Sequence, residues 1–393
     1  MKPLVSGSEA KRYEEPETNT YLLFPYERDA RGVMRLMPAD GMARRFPRAW
    51  AHLRRWEKAL RGRESGKMDR AQDWWGYVYL KNMAKQDSAK LIVPRLVEHL
   101  KCSLDADGRV FLDNVDVGGI LPASNVDLAY PMAVLNAPVS DFVFRIISKP
   151  FQNDYRSANK QFIAPLPIPE ASGEARADIA ARARRLQERW TERRHLLRDT
   201  EDRLSVLARS RHPARWLWPD LPDVPEMIVR APKVLRLPAD KRKWANEKLD
   251  ELEAARVEAL QAALDRGGRR EVRFQSGELR LYVSGAVVLD KIYLDEAAGR
   301  LTEAYWRWLL LSGPAREAER FAADLRRPPA PSDSPAAAQF IDRVEALAEE
   351  VAAIEADERA LNETLYTLYR LSPEERNLVE NEHGRRNGAL ASG

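Results

Sequence analysis

The amino-acid sequence predicts an α+β protein: a β-rich amino-terminal module, then long helices pairing as an antiparallel coiled-coil arm, with a small α+β insertion between them. Three observations carry this expectation. Short apolar and aromatic runs bounded by turn residues crowd residues 1–170, which is the pattern of strands. From Ala171 the composition shifts to Ala, Arg, Glu and Leu, the signature of long helices. Between two heptad-bearing stretches lies a segment whose apolar residues alternate with period two. The division that follows is 1–170, the β-rich domain; 171–212, the first helical arm; 213–333, the insertion; and 334–393, the second arm and tail.

With 393 residues the chain has room for two or three domains and a sizeable core. Its 64 basic and 60 acidic residues leave a formal charge of +4, a balance that permits nucleic-acid binding without requiring it. The single cysteine, Cys102, excludes an internal disulfide and a multi-cysteine zinc site, and predicts a reducing, cytoplasmic setting. No apolar run approaches the ~18 residues of a membrane helix. The start, MKPLVSGSEAKRYEE, has no apolar signal segment.

Taken in order, Tyr21 to Tyr26 and Val33 to Met37 flank a turn at Asp29 to Gly32 and predict a hairpin. Asp40 to Arg63 reads as one helix, with Phe46, Trp50, Leu53, Trp56 and Leu60 on one face. Arg44, Arg45, Arg48, Arg54, Arg55 and Arg61 surround it, as a solvated face or as phosphate-tracking groups. In Trp74 to Arg95 an aromatic run leads through a polar loop to a strand ending at Pro94; shorter runs follow at Val110 to Asp113 and Gly119 to Pro122. Leu128 to Ser148 has the spacing of a single buried helix, with Met132, Leu135, Val139, Phe142 and Ile146 inward. An aromatic and basic loop comes next, and then Pro165-Leu166-Pro167-Ile168-Pro169, a stiff extended exit that proline keeps out of the helical region.

In the arms, Leu186, Trp190, Leu197 and Leu204 mark a heptad seam with polar Arg193 and Thr200 between them. Phe340, Val344, Leu347, Val351, Ile354, Leu361, Leu365 and Leu368 mark a second seam, broken by Glu358. The insertion opens with a proline-studded loop, Pro213 to Pro238, carrying Trp216 and Trp218. A helix over Lys241 to Asp265 stops at Gly267-Gly268, strands fill Glu271 to Leu294 around a turn at Ser276-Gly277, and a helix spans Leu301 to Leu325.

Several of these stretches, in this order, resemble the target-recognition domain of the TaqI-like adenine-specific DNA methyltransferases and of their single-chain type IIG restriction-modification relatives. KPLVSGSEAKRY stands where that family has KPLLRGKDIKRY, WWGYVYLKN where it has WYEFGRSQN, and AKLIVPRL where it has PKIIVPDI. YPMAVLNAPVSDFVFRI stands for a helix of the type YLLAILNS…FLF, and DYRSANKQFIAPLPIP for GGYRRFSKQYLEQLPIP. The likeness covers Met1 to Pro169 and implies a DNA-specificity module. It departs at Asn153-Asp154, where the family has Gly-Gly before the tyrosine.

Adenine methylation needs a glycine-rich cofactor loop after a strand and an Asn/Asp-Pro-Pro-Tyr/Phe turn; the sequence has neither. The only Pro-Pro pair, Pro328-Pro329, follows Arg327 and precedes Ala330. Glu9-Ala10-Lys11 carries only the second half of a Mg-dependent nuclease pattern, and the five histidines have no metal-ligand spacing. The expectation is therefore no catalytic residue, no metal and no cofactor in this chain. S-adenosylmethionine would sit on a partner, a catalytic methyltransferase subunit or domain.

What remains is a binding reading, and the resemblance implies recognition of double-stranded DNA, which uses basic and small polar groups on phosphates and forked side chains such as Arg, Asn and Gln on base edges. Gln152, Asn153, Tyr155, Arg156, Ser157, Asn159 and Lys160 crowd these types into one loop. Lys81, Asn82, Lys85 and Lys90 form a second candidate patch, and Lys11 and Arg12 a third. Two other classes stay open from the residues: a scaffold whose coiled coil is the functional part, and an enzyme with its site in the insertion.

Overall fold

The computed structural model describes residues 1–208 and 247–386, apart from positions 81, 114, 124–125, 248–250, 252–253, 256–257, 265, 267, 313–317, 326 and 331–333. Pro213 to Pro238 with its two tryptophans, and most of the helix expected over Lys241 to Asp265, lie outside the described residues. The fold class is α+β, with several small sheets and long helices. The chain divides into two compact units, Met1–Glu188 with Leu361–Arg370 and Arg189–Ala360 with Leu371–Gly393.

The first unit is built on β5 (Lys90–Pro94), whose five residues are all buried. An apolar run without alternation belongs in the middle of a sheet. β5 pairs antiparallel with β7 (Ser103–Asp105) on one side and β9 (Val117–Ile120) on the other, so that Ile92 lies between Ser103 and Gly119. β1 (Lys2–Val5) runs parallel to β8 (Phe111–Leu112) and antiparallel to β2 (Tyr21–Leu22). Val5, Ala10, Ile92, Val110, Leu112 and Val117 form the core between them. Gly108 makes the turn into β8 possible: its φ is +65°, and a Cβ there would lie 2.4 Å from the Asp87 carbonyl.

The hairpin forms between β3 (Tyr26–Arg28) and β4 (Met34–Leu36), while Tyr21 and Leu22 leave it to pair with β1. The single helix expected over Asp40 to Arg63 is instead a series: α1 (Ala39–Arg45), α2 (Pro47–Arg55), α3 (Glu57–Arg61) and a short α4 (Arg63–Gly66) whose Glu64 and Ser65 turn left-handed, with φ of 50° and 58°. Pro47 lacks the N–H that would continue α1 and starts α2 instead. Trp50 packs on Trp74 and Trp75 with ring centroids 5.7 and 5.4 Å away, whereas Phe46 and Trp56 fall at the breaks and are exposed.

Leu128 to Ser148 is likewise corrected from one helix to two, α5 (Ala129–Leu135) and α6 (Pro138–Ile147). Ala137 is extended and Pro138 opens α6, so the face that continues from α5 is lost. Met132, Leu135 and Val139 are buried as expected, but Phe144 takes the place assigned to Phe142, and Ile146 is 68% exposed. Asn136, at the break, is buried and its amide pairs twice with one residue: Oδ1 accepts the Cys102 N–H and Nδ2 donates to the Cys102 carbonyl, both at 2.9 Å. The same carbonyl accepts the Tyr13 N–H at 3.0 Å, and the Asn136 carbonyl accepts from Arg12 Nη2 at 3.1 Å. Burial pushes the Cys102 thiol up to about 12, so it stays protonated and packs as a small apolar group.

The start of α8 (Gly173–Ser205) buries Ile179, Ala180, Ala183 and Leu186. Gln187 meets β7 as Asn136 meets Cys102: its amide bonds both the N–H and the carbonyl of Leu104 at 2.8 Å. The proline exit is held at its carbonyls, Pro167 by the Tyr369 hydroxyl at 2.7 Å and Pro169 by the Tyr130 hydroxyl at 2.6 Å.

The second unit contains a meander of β11 (Arg270–Gln275), β12 (Glu278–Val283) and β13 (Ala286–Tyr293). Its two-residue turns, Ser276-Gly277 and Ser284-Gly285, have positive φ at both positions, the backbone whose twist suits a hairpin. The helix expected over Leu301 to Leu325 is two helices, α9 (Glu296–Leu311), capped at Ser312, and α10 (Ala318–Leu325). Gly299 of α9 lies against the Phe274 ring, where a Cβ would clash. Trp306 is fully buried and donates Nε1 to the Leu325 carbonyl at 2.9 Å.

In this unit α8 and α11 (Pro335–Leu368) run antiparallel. Arg203 donates to Gln339 at 2.5 Å, Arg343 pairs with Asp199 at 2.7 Å, and Arg189 pairs with Glu350 at 3.1 Å. The polar interruptions of the heptads each have a partner. Glu358 accepts from Trp190 Nε1 at 2.9 Å, Thr200 bonds the Leu196 carbonyl at 2.6 Å, and Arg193 donates to the Leu311 carbonyl at 2.9 Å. A last helix, α12, spans Pro373–Arg386. Among the described residues no helix is long and apolar enough to cross a membrane.

The Asn136 joint gives a direct test. Asn136→Leu leaves a buried Cys102 N–H without its acceptor, and urea denaturation is expected to show a loss of about 1–3 kcal/mol. An unchanged midpoint would mean that this amide does not hold the joint.

Candidate nucleic-acid interface

The loop that follows α6 is a tight reversal. Ser148 ends the helix in an extended conformation and Pro150 forms an isolated antiparallel bridge with Arg156. The Phe151 N–H bonds the Tyr155 carbonyl at 2.8 Å, closing a turn over Gln152–Asp154. Asn153 and Asp154 have φ of 56° and 61°. That is the left-handed region, which glycine enters freely and which Asn and Asp tolerate best among other residues. The pair standing where the resembled family has Gly-Gly thus adopts backbone angles open to glycine.

β10 (Arg156–Ser157) then pairs antiparallel with β6 (Leu96–Val97), and one helical turn, α7 (Lys160–Ile163), follows. The loop is therefore framed by hydrogen bonds on both sides. Gln152, Asn153, Asn159 and Lys160 are exposed at its surface. Arg156 is half-buried, with Nη1 3.4 Å from the Ser148 carbonyl and Nη2 3.7 Å from Asp154. Tyr155 is hydrogen-bonded to the Glu98 carboxylate, which raises the pKa of its hydroxyl.

Glu98 links this loop to the amino-terminal patch. Lys101, whose pKa is lowered by burial and then by the charge of Lys11, also feels Glu98. Lys11 is exposed; Arg12 is tied to the Asn136 carbonyl and lies over the Tyr13 ring at 4.9 Å, so its part is at least half structural. Tyr155 thereby meets the segment Glu98–Lys101, whose Lys101 also feels the charge of Lys11. The remaining patch is placed by other partners: Asn82 and Lys85 are exposed on a turn whose next residue, Gln86, accepts the Leu112 N–H at 2.9 Å. Lys81 lies outside the described residues.

Two of the expected contact residues are corrected. Lys90 begins β5 and is buried with its ammonium 2.7 Å from Asp105 and 2.8 Å from the Gln86 carbonyl. Asp105 is equally buried and also accepts the N–H groups of Arg109 and Val110. A charge so enclosed supports the sheet and has no free donor to present to DNA. Ser157 is buried in β10, and its Oγ accepts from Asn159 Nδ2 at 2.8 Å, so it positions Asn159 behind the surface.

The arginines of α1 to α3 divide. Arg44 pairs with Asp40, Arg45 with Glu27, and Arg61 with Glu57, while Arg48, Arg54 and Arg55 are exposed.

Sequence reasoning missed Arg145, Glu98 and the pair His99–Asp141. Arg145 donates to the Glu98 carbonyl and to Asp154. Asp141 is buried, with Oδ2 2.7 Å from His99 Nδ1 and Oδ1 accepting the Leu100 N–H at 2.7 Å. The available signal was two charges, Asp141 and Arg145, inside an apolar helix: such charges are kept only where they have partners. No protein-family model matches the chain, and no curated protein matches its sequence.

The structural role of Lys90 separates it from its neighbours in the patch. Lys90→Met leaves Asp105 buried and uncompensated and is expected to cost about 3–5 kcal/mol in chemical denaturation. Lys85→Met, at an exposed position, should change stability by no more than about 0.5 kcal/mol. Equal effects at the two positions would contradict the assignment.

Proposed function

We propose that this chain is the DNA-specificity module of an adenine-N6 DNA methyltransferase or restriction-modification system, acting with a separate catalytic chain. The observation that carries the reading is the loop 149–160. Its left-handed Asn153-Asp154 pair supports the likeness at the position where the sequence departs from the family pattern. Around that turn, Gln152, Asn153, Asn159 and Lys160 offer to solvent the groups that bond base edges and phosphates. Behind them stand two guanidiniums, Arg145 and Arg156.

In this reading the module chooses the site, and the partner carries S-adenosylmethionine and the turn that receives the flipped adenine. The arm favours this over a scaffold built on the coiled coil. Between Arg189 and Ala360 its apolar seam and its polar interruptions are satisfied within the chain itself.

The test replaces Arg156 and Lys160 by alanine and measures duplex binding by the assembled complex over a range of salt concentrations. Loss of a phosphate contact weakens target and scrambled duplexes alike and reduces the salt slope by roughly one unit per contact. Loss of a base contact by Arg156 costs ~1–3 kcal/mol at a single base position. A double variant that binds both duplexes as the wild type does would show that this loop does not carry recognition.

A further inference from the structure

Arg145, near the end of α6, and Arg156, on β10, converge on one carboxylate. Arg145 donates Nη2 to Asp154 Oδ2, and Arg156 Nη2 lies 3.7 Å from Asp154 Oδ1. The Arg145 side chain is only 9% exposed, yet neither its Nε nor that of Arg156 has a hydrogen-bond partner among the described residues. Their Nη1 groups end on backbone carbonyls, Glu98 for Arg145 and Ser148 for Arg156. A guanidinium offers five donors in a planar fork. Two guanidiniums thus share one carboxylate, which leaves their Nε donors unfilled.

The carboxylate itself sits at the solvent side of the site: the Asp154 side chain is 56% exposed, against 9% for Arg145. A phosphodiester presents two non-bridging oxygens to a guanidinium fork as a carboxylate does, and it brings a full negative charge.

We infer that Arg145 and Arg156 form a phosphate-oxyanion site that Asp154 occupies in the free protein and that a backbone phosphate of the duplex takes over on binding. Asp154 then acts as an internal phosphate mimic. It keeps the two arginines preorganised while screening them from indiscriminate attraction to nucleic acid, which favours specificity over bare affinity. The source of the phosphate rests on the DNA-recognition reading; the anion site itself does not.

The experiment titrates the full chain, wild type and Asp154→Asn, with inorganic phosphate and separately with a random-sequence duplex. Asparagine tolerates the left-handed backbone, so the turn is kept. Asp154→Asn is expected to bind both ligands roughly fivefold tighter, the upper end for removing a partly exposed ionic competitor. Adding Arg156→Lys, which keeps the charge and the aliphatic stem but not the fork, should remove most of the gain, with an unchanged melting curve as the control for folding. A gain for inorganic phosphate with no duplex binding by any variant, alone or with the catalytic partner, would uphold the anion site and sink the DNA reading. Duplex binding that depends on Lys160 but is indifferent to Asp154→Asn, together with unchanged phosphate affinity, would overturn the inference and leave the DNA reading standing.

Discussion

The side-chain amide of Asn136 holds the β-rich unit together at the point where the loop 149–160 is hung. Its two hydrogen bonds to Cys102 fix the residue just before β7 against the break between α5 and α6. Tyr13 adds the amino-terminal segment through the same Cys102 carbonyl, and Arg12 adds it again through the Asn136 carbonyl. A buried amide with both ends satisfied is directional in a way that apolar packing is not, so it sets the angle at which α6 leaves α5. That angle decides where Arg145 and Asp141 point. Asp141 in turn bonds the Leu100 N–H and His99, fixing the segment that contains Glu98.

Charge in this region is arranged in alternation. Lys101 feels the charge of Glu98, Glu98 holds Tyr155, and Asp154 lies between Arg145 and Arg156. Each acid lowers the local field of the cations beside it while holding them in place. Asn159 and Lys160 lie exposed outside this network. This division between outer groups that attract and inner groups already held in geometry agrees with the nearly balanced charge of the whole chain.

Much of the fold was legible because it rests on local periodicity. The run KLIVP is β5, alternation in the insertion gives its strands, Ser276-Gly277 is the turn, and the seams of α8 and α11 meet in antiparallel order. Where a proline interrupted a periodic stretch, pattern alone carried the helix too far: Pro47 and Pro138 each begin a new helix, and the face shifts across the break, from Phe142 to Phe144. The site was legible only in its exposed polar residues. Lys90 reads as a surface lysine because its partner, Asp105, lies on the neighbouring strand, and Ser157 reads as exposed because strand pairing with β6 cannot be seen from two residues. Glu358 appears in the sequence as a flaw in a heptad; only the long-range pairing with Trp190 explains it.

On the proposed reading the loop 149–160, framed by α6 and β6, is the surface that meets DNA. Hydrogen exchange of the full chain with and without a target duplex, in the presence of the catalytic partner, tests it most directly. Slowed exchange is expected in peptides covering 149–160 and 98–101, with no change at the buried joint around Asn136. Unchanged exchange across 149–160 while another segment gains protection would contradict it.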